Sequence, residues 1–441
     1  MSQEKLYDEV LTKQKRIAEI AMNHHGESLK SLAHHIDLKW LYVAYQNTRK
    51  DSAVGIDNVS AQDYESNLKH NLEELLNRLK SGRYKAPAVR RVYIPKGNGK
   101  EKRPLGLPTF EDKILQRAVL MVLEPVFEKE FFDFSHGFRP GHSAHLALDE
   151  FWLKNYKLGG GWLIDLDIRK YFDTIDHEQL RKMICSRVCD GVITRIIGKW
   201  LKAGVFDNGN VTLGKSGTPQ GGVISPLLSN VYLHEVLDKW FVETVKPRLK
   251  GDSFMVRYAD DCLMMFKERD DAVKAMNVLY KRFAKYGLEL HPEKTKLIDF
   301  RKPTSGKSGE NKETFDFLGF THYWKKSRKG SLIVGKKTAK DRFTRSLKMV
   351  NDWCRRHRHW KILTQWKHLR RVILGHCAYY GVTGNNRRLG EFCFQVPRIW
   401  YKWLKRRSRL RDLNWNKFNR LLAAHPLPGP RIIHSVHIAK L

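Results

Sequence analysis

Two segments of this 441-residue chain each set carboxylates inside an otherwise strand-like run. Residues 163–173 read LIDLDIRKYFD, and residues 255–266 read MVRYADDCLMMF. Burying an acid beside Val, Leu, Met and Phe is costly unless a cation compensates it. A chain built this way must therefore bring the two strands together around something positive. Two Mg²⁺ ions bridging phosphate and sugar oxygens meet that need, and they suit nucleotidyl transfer, in which a 3′-hydroxyl attacks an α-phosphate.

In the first segment Asp165 and Asp167 lie two apart and share one strand face. Asp167 is expected to point into the site and hold both ions, and Asp165 is the weaker candidate. Phe172 follows five residues on, where a bulky ring would press on the sugar 2′ position and exclude ribonucleotides. In the second segment a turn at Ala259, Asp260 and Asp261 is expected to present Asp260 as the second shared ligand. Asp261 would be a weaker ligand or would shape the field near the primer end. An adjacent acid pair in a turn is common by chance. The apolar strands on both sides, and the separate acid strand 93 residues upstream, give this one weight.

Two further stretches carry chemistry. Residues 217–230, GTPQGGVISPLLSN, crowd turn residues before a helix. Gly221 and Gly222 permit close backbone approach to a ligand, and Gln220 offers both a donor and an acceptor to an incoming nucleotide. Residues 92–106, VYIPKGNGKEKRPLG, read as a hairpin with its turn at 96–100. Lys96 and Arg103 flank that turn and would neutralise a triphosphate. Lys100 and Lys102 read as solvated charges.

The coarse pattern is α+β: an antiparallel, acid-bearing sheet backed by helices, then an all-helical basic region after Gly335. Leu68, Leu72, Leu75, Leu76 and Leu79 form a helical stripe, and Ile114, Leu115, Ala118, Val119 and Val122 form another. Residues 288–300 read as strand. The formal charge is +34, which points to a polyanion as partner. From residue 336 onward there are 26 Lys/Arg against 4 Asp/Glu, a net of +22 in the last quarter. Trp353, Trp360, Trp366, Trp400, Trp403 and Trp415 interleave with those cations and are expected to be core rings beneath a phosphate-facing surface. The six cysteines form no CxxC pair and read as free thiols in a reducing compartment. The His24–His25 and His34–His35 pairs lack the companions of a metal site. No run of 18 apolar residues and no signal peptide is present, so cytoplasm is expected, with no membrane partner.

With these motifs in hand, the chain resembles the reverse transcriptases, and among them the bacterial group II intron and group II-like enzymes. The matching stretches occur in that family's order: VRRVYIPKGNGKEKRPLGLPTFEDKILQRA, SHGFRPGHSAHLAL, LIDLDIRKYFDTIDH, GTPQGGVISPLLSNVYLHEVLD, VRYADDCLMMF, GLELHPEKTKL and FDFLGF. The resemblance implies a right-hand polymerase. Residues 1–85 would be an RNA-gripping extension, 86–325 fingers and palm, and 336–441 a helical thumb or maturase domain. It implies metal binding by Asp167, Asp260 and Asp261, and nucleotide contacts from Lys96, Arg103, Phe172, Gln220 and Lys294. Leu318 and Gly319 would support the primer strand. Structured RNA, a DNA primer or target and deoxynucleoside triphosphates are the implied partners.

Many intron enzymes carry a further nuclease with its own cysteine pairs, and residues 425–441 show none, so cleavage of a target by this chain is not expected. Two alternatives stand beside the intron reading. One is a relative domesticated for DNA repair or phage defence. The other is an RNA-binding maturase with a vestigial polymerase, against which the presence of all three acids and Phe172 argues.

Overall fold

The computed structural model describes residues 3–96, 101–207, 210–212, 217, 221–303, 313–327, 329–407 and 413–435. Two compact units are present: Met1–Ala147 with Leu163–Leu297, and Leu148–Trp162 with Ile298–Leu441.

The first unit is organised around the helix Phe110–Phe127, which Thr109 caps by accepting from Asp112 N. Its expected stripe of Ile114, Leu115, Ala118, Val119 and Val122 is buried, and so are Leu120, Met121 and Leu123 on the other sides. Residues 118–123 of this helix are apolar on every side and must be covered on every side. The helices Gln3–Asn23 and Leu38–Gln46 pack on it, and Trp40 Nε1 donates to Ala118 O at 2.9 Å. The leucine stripe lies on the helix Leu68–Lys80, which buries Leu72, Leu75 and Leu79.

Two four-stranded sheets complete this part of the chain. Strands β1 (Val89–Lys96) and β2 (Glu101–Leu107) form the expected antiparallel hairpin, Lys96 opposite Glu101. The acid strand is β3 (Gly160–Leu166). The short strands β4 (Val205–Asp207) and β5 (Asn210–Thr212) extend the first sheet in the order β2-β1-β4-β5. The second acid segment folds as β6 (Ser253–Tyr258) and β7 (Asp261–Phe266). With β8 (Lys296–Arg301) these give the order β6-β7-β3-β8, so the strand that Asp167 follows lies beside the strand that Asp260 precedes.

The expected strand from 288 is shorter than its apolar pattern. Only Lys296–Arg301 is extended, with one isolated bridge at Leu290. Pro292 lacks a ladder donor, and the chain turns instead, Thr295 N bonding His291 O at 2.9 Å.

In the second unit, β9 (Phe315–Phe317), β10 (Phe320–Lys326) and β11 (Leu332–Thr338) form a sheet of order β11-β10-β9. Helical structure was expected from residue 336, but Lys336, Lys337 and Thr338 pair with His322, Thr321 and Phe320 as the last rungs of β11. Gly335 permits this register, because a Cβ there would stand 2.8 Å from Lys325 Cδ and 3.0 Å from Tyr323 Cζ. Among the described residues four helices follow: Lys340–Arg356, Ile362–Tyr380, Asn386–Leu404 and Trp415–Ala424. Their core contains Val350, Leu369, Ile373, Leu389, Phe392 and Trp400. The tryptophans divide. Trp400 is fully buried and donates to Gln365 Oε1 at 2.9 Å, whereas Trp360 and Trp415 are 48% and 44% exposed. The expectation of six core rings is therefore corrected: Trp360 packs on Trp353 and His357, and Trp415 on Tyr401 and Phe418, at the edge of the helical core rather than within it.

Candidate active site

The register of β6 and β7 pairs Tyr258 with Asp261 and leaves Ala259 and Asp260 as a two-residue turn. Such turns need a positive φ, and Ala259 has φ +56° without being glycine. A buried network holds it there. Arg257 is wholly buried and clasps Asp238 through Nε and Nη2 at 2.8 and 2.5 Å. Its Nη1 donates to Asn230 Oδ1 and to the carbonyl of Ala259, both at 3.0 Å. Asn230 Nδ2 in turn donates to Gly137 O at 2.7 Å. Burial alone would push the Asp238 carboxyl up, but Arg257 and His234 hold it below the usual carboxylate range. The ion pair thus fixes the carbonyl immediately before Asp260. Sequence reasoning missed Arg257, Asp238 and Asn230. The available signal was a lone arginine in the apolar run FMVRY and an acid, Asp238, set between Leu237 and Lys239 in the helical stretch VYLHEVLDKW.

Asp167 follows β3 and is fixed through its backbone. Its carbonyl accepts from His291 N at 2.8 Å and Thr295 Oγ1 at 3.2 Å. Lys294 Nζ lies 3.8 Å from its Oδ2. Asp260 is half-buried, and its carboxyl is raised above the ordinary range. Burial is the main cause and Asp167 adds to it, while Arg103 and Arg257 pull the other way. Asp167, Asp260, Lys294 and Arg103 are thereby brought together from four separate stretches of sequence. Asp261 is exposed at the first position of β7, and Asp165 is half-buried within β3.

Among the described residues no three His, Cys, Asp or Glu side chains are gathered closely enough to hold a metal ion. The donor set nonetheless fits a divalent cation. The Asp167 carboxylate disfavours the charge on Asp260, Asp260 is desolvated, and hard oxygen donors suit Mg²⁺.

Phe172 is half-buried on the short helix Tyr171–Thr174, next to Tyr171, whose hydroxyl donates to Ser229 O at 2.7 Å. The expected nucleotide loop is pinned at two glycines. A Cβ on Gly217 would stand 3.0 Å from the Phe172 and Asp173 carbonyls, and one on Gly221 would stand 2.5 Å from Gly106 O on β2. Gln220 lies outside the described residues, as does the side chain of Lys96. Leu318 and Gly319 form the β9–β10 turn of the second unit with φ +50° and +80°, and Tyr379 Oη donates to Leu318 O at 2.9 Å.

The sequence profile described as reverse transcriptase (RNA-dependent DNA polymerase) matches residues 94–322, more than half of the chain. The chain belongs to the reverse transcriptase family. Its relatives include the group II intron-encoded protein LtrA of Lactococcus lactis, 42% identical over 212 residues, which are 48% of this chain and 35% of LtrA. The protein YkfC of Escherichia coli is 34% identical over 329 residues, 67% of this chain and 83% of YkfC. A 91 kDa protein in the cob intron of Schizosaccharomyces pombe is 38% identical over 175 residues, 40% of this chain and 21% of that protein. The match to LtrA thus spans about a third of that protein's length. The profile's span contains every candidate site residue, from Lys96 to Gly319. No described helix is long and apolar enough to cross a membrane.

Proposed function

We propose that this chain is an RNA-directed DNA polymerase of the group II intron type, which extends a primer from deoxynucleoside triphosphates on an RNA template and aids splicing of its intron RNA. The observation that carries the reading is the meeting of Asp167 and Asp260 at the ends of neighbouring strands, with Lys294 beside one and Arg103 acting on the other. Asp167 and Asp260, joined by Asp261, would hold two Mg²⁺ ions. When bound, such ions stabilise the charge on the attacking and leaving oxygens of an in-line displacement.

The chain's own groups do the rest. Arg103, with Lys96 and Gln220, would neutralise and orient the triphosphate, and Lys294 would add a cation beside Asp167. Phe172 would close the sugar subsite against a 2′-hydroxyl. Leu318 and Gly319 would support the primer strand. In this reading residues 86–325 are fingers and palm, 1–85 grip RNA, and 336–441 act as thumb and maturase domain.

Replacing Asp167 or Asp260 by Asn should abolish primer extension on an RNA template while RNA affinity stays near the parent's. Extension within about tenfold of the parent in both variants overturns the assignment. Sequencing the RNA that copurifies with the native protein tests the intron role. Recovery of the intron that encodes the chain is expected, and its absence overturns that part.

A further inference from the structure

The segment FSHGFR, residues 134–139, takes no part in the chemistry proposed above, yet it is clamped to the hairpin that carries Asp260. Arg257 N donates to Phe134 O and His136 N donates to Arg257 O, both at 2.8 Å. Gly137 O accepts from Asn230 at 2.7 Å. A Cβ on Gly137 would stand 2.2 Å from Ala259 N, so the two backbones touch. On the other side the buried Arg139 donates to the carbonyls of Phe132 and Ser135, both at 2.6 Å, and to the Glu128 carboxylate.

Between these anchors stands Phe138. Its φ is +58°, a left-handed value unfavourable for a bulky residue, and its side chain is 57% exposed. Neither feature helps the fold. Glycine would adopt the backbone without strain, and a small polar residue would spare the ring its contact with water. The chain places glycine at 137, where the close approach demands it. At 138, where neither backbone nor packing asks for a ring, it keeps phenylalanine. Strain of this kind persists where surrounding structure over-determines it, and it concentrates at functional positions.

We infer that Phe138 is a nucleic-acid contact, its ring stacking on a nucleotide of the duplex held at the acid turn. This rests on the polymerase reading. A strand extended at Asp260 must end beside the turn against which Gly137 packs, and an exposed phenyl one residue away offers a π-face to a base or sugar. The ring is presented on a rigid backbone, so little freedom is lost when a nucleotide stacks on it.

The test uses the full chain with an RNA–DNA primer–template hybrid, by direct binding and by primer extension. Phe138→Gly and Phe138→Asn remove the ring and tolerate the left-handed backbone. Both should melt at or above the parent's temperature yet bind the hybrid about tenfold more weakly, and Phe138→Trp should bind within about twofold of the parent. Abasic sites moved along the template and then the primer identify the strand. At one position the parent should fall to the affinity of Phe138→Gly. Ring-less variants that bind like the parent, a parent that binds no hybrid, or the lack of any such position in either strand overturns the inference. A partner protein that binds through Phe138 while hybrid affinity is unchanged does the same. Ring-dependent binding by a parent that cannot extend would leave this contact standing and remove the polymerase reading. Extension with no dependence on the ring would do the reverse.

Discussion

Arg257 shows how one buried side chain fixes the conformation of a turn. Its guanidinium spans Asp238, Asn230 and the Ala259 carbonyl, so the backbone before Asp260 has little freedom. Removing one member of a buried ion pair strands the other charge, at a cost of about 3–5 kcal/mol. Arg257→Met should therefore lower the urea midpoint sharply. The double variant Arg257→Met with Asp238→Leu should recover most of that stability, since an apolar pair replaces the ions. It should not recover primer extension, because the Ala259 carbonyl still lacks its donor. A double variant that extends at the parent's rate would reduce the pair to a packing role. Phe172 invites a second test. Its ring is half-buried next to Tyr171, on the helix that Gly217 backs. Phe172→Ala should raise ribonucleotide relative to deoxyribonucleotide incorporation, and an unchanged ratio would mean that the ring only packs.

Among the elements, the β10–β11 hairpin carries the least expected feature. His322 is wholly buried, and neither ring nitrogen has a partner among the described residues. It stacks on Phe315 at 4.9 Å and lies opposite Lys336 in the register. Lys336 is itself buried and reaches Asp149 at 3.1 Å. Burial, with Lys336 adding to it, lowers the His322 pKa to about 3 from the ordinary 6.5. The unfolded chain thus binds a proton at this residue as pH falls through 6.5, while the folded chain does not until near 3. The stability from keeping His322 neutral is complete above the unfolded pKa and is lost across that window. It contributes a slope of at most about 1.4 kcal/mol per pH unit. Urea unfolding at several pH values should show His322→Phe losing less stability between pH 7 and 4 than the parent does. Equal slopes would place the acid sensitivity elsewhere.

Over the molecule as a whole, charge is the governing quantity. The +34 total is concentrated in the last quarter, where the helix Ile362–Tyr380 alone exposes Lys367, Arg370 and Arg371. Each phosphate neutralised lowers the slope of log K against log salt by roughly 0.7–0.9. If these three side chains each meet a phosphate of RNA, replacing all three by Gln should flatten the slope by about 2–3 and leave the melting temperature within a degree or two. An unchanged slope would move the grip to another face.

Local pattern was enough for much of this molecule. Strand-like runs on both sides of KGNGK and of YADD specified two hairpins, and leucines at helical spacing specified which face of Leu68–Lys80 is buried. Short-range sterics and periodic burial decide such features, so they are written in neighbouring residues. The strand from 332 to 338 was not legible, because KKT beside a long basic helix carries no alternation and its pairing comes from β10. Nor was the packing that orders the candidate site. Asp238 and Asn230 lie 19 and 27 residues before Arg257, and nothing local marks them as its partners. A buried charge takes whichever partner the chain's long-range packing brings within hydrogen-bond reach. The sequence by itself determined the strands that border Asp167 and Asp260. Tertiary structure alone decided the order in which those strands lie, that Arg103 acts on Asp260 and Lys294 on Asp167, and that a buried arginine holds the turn.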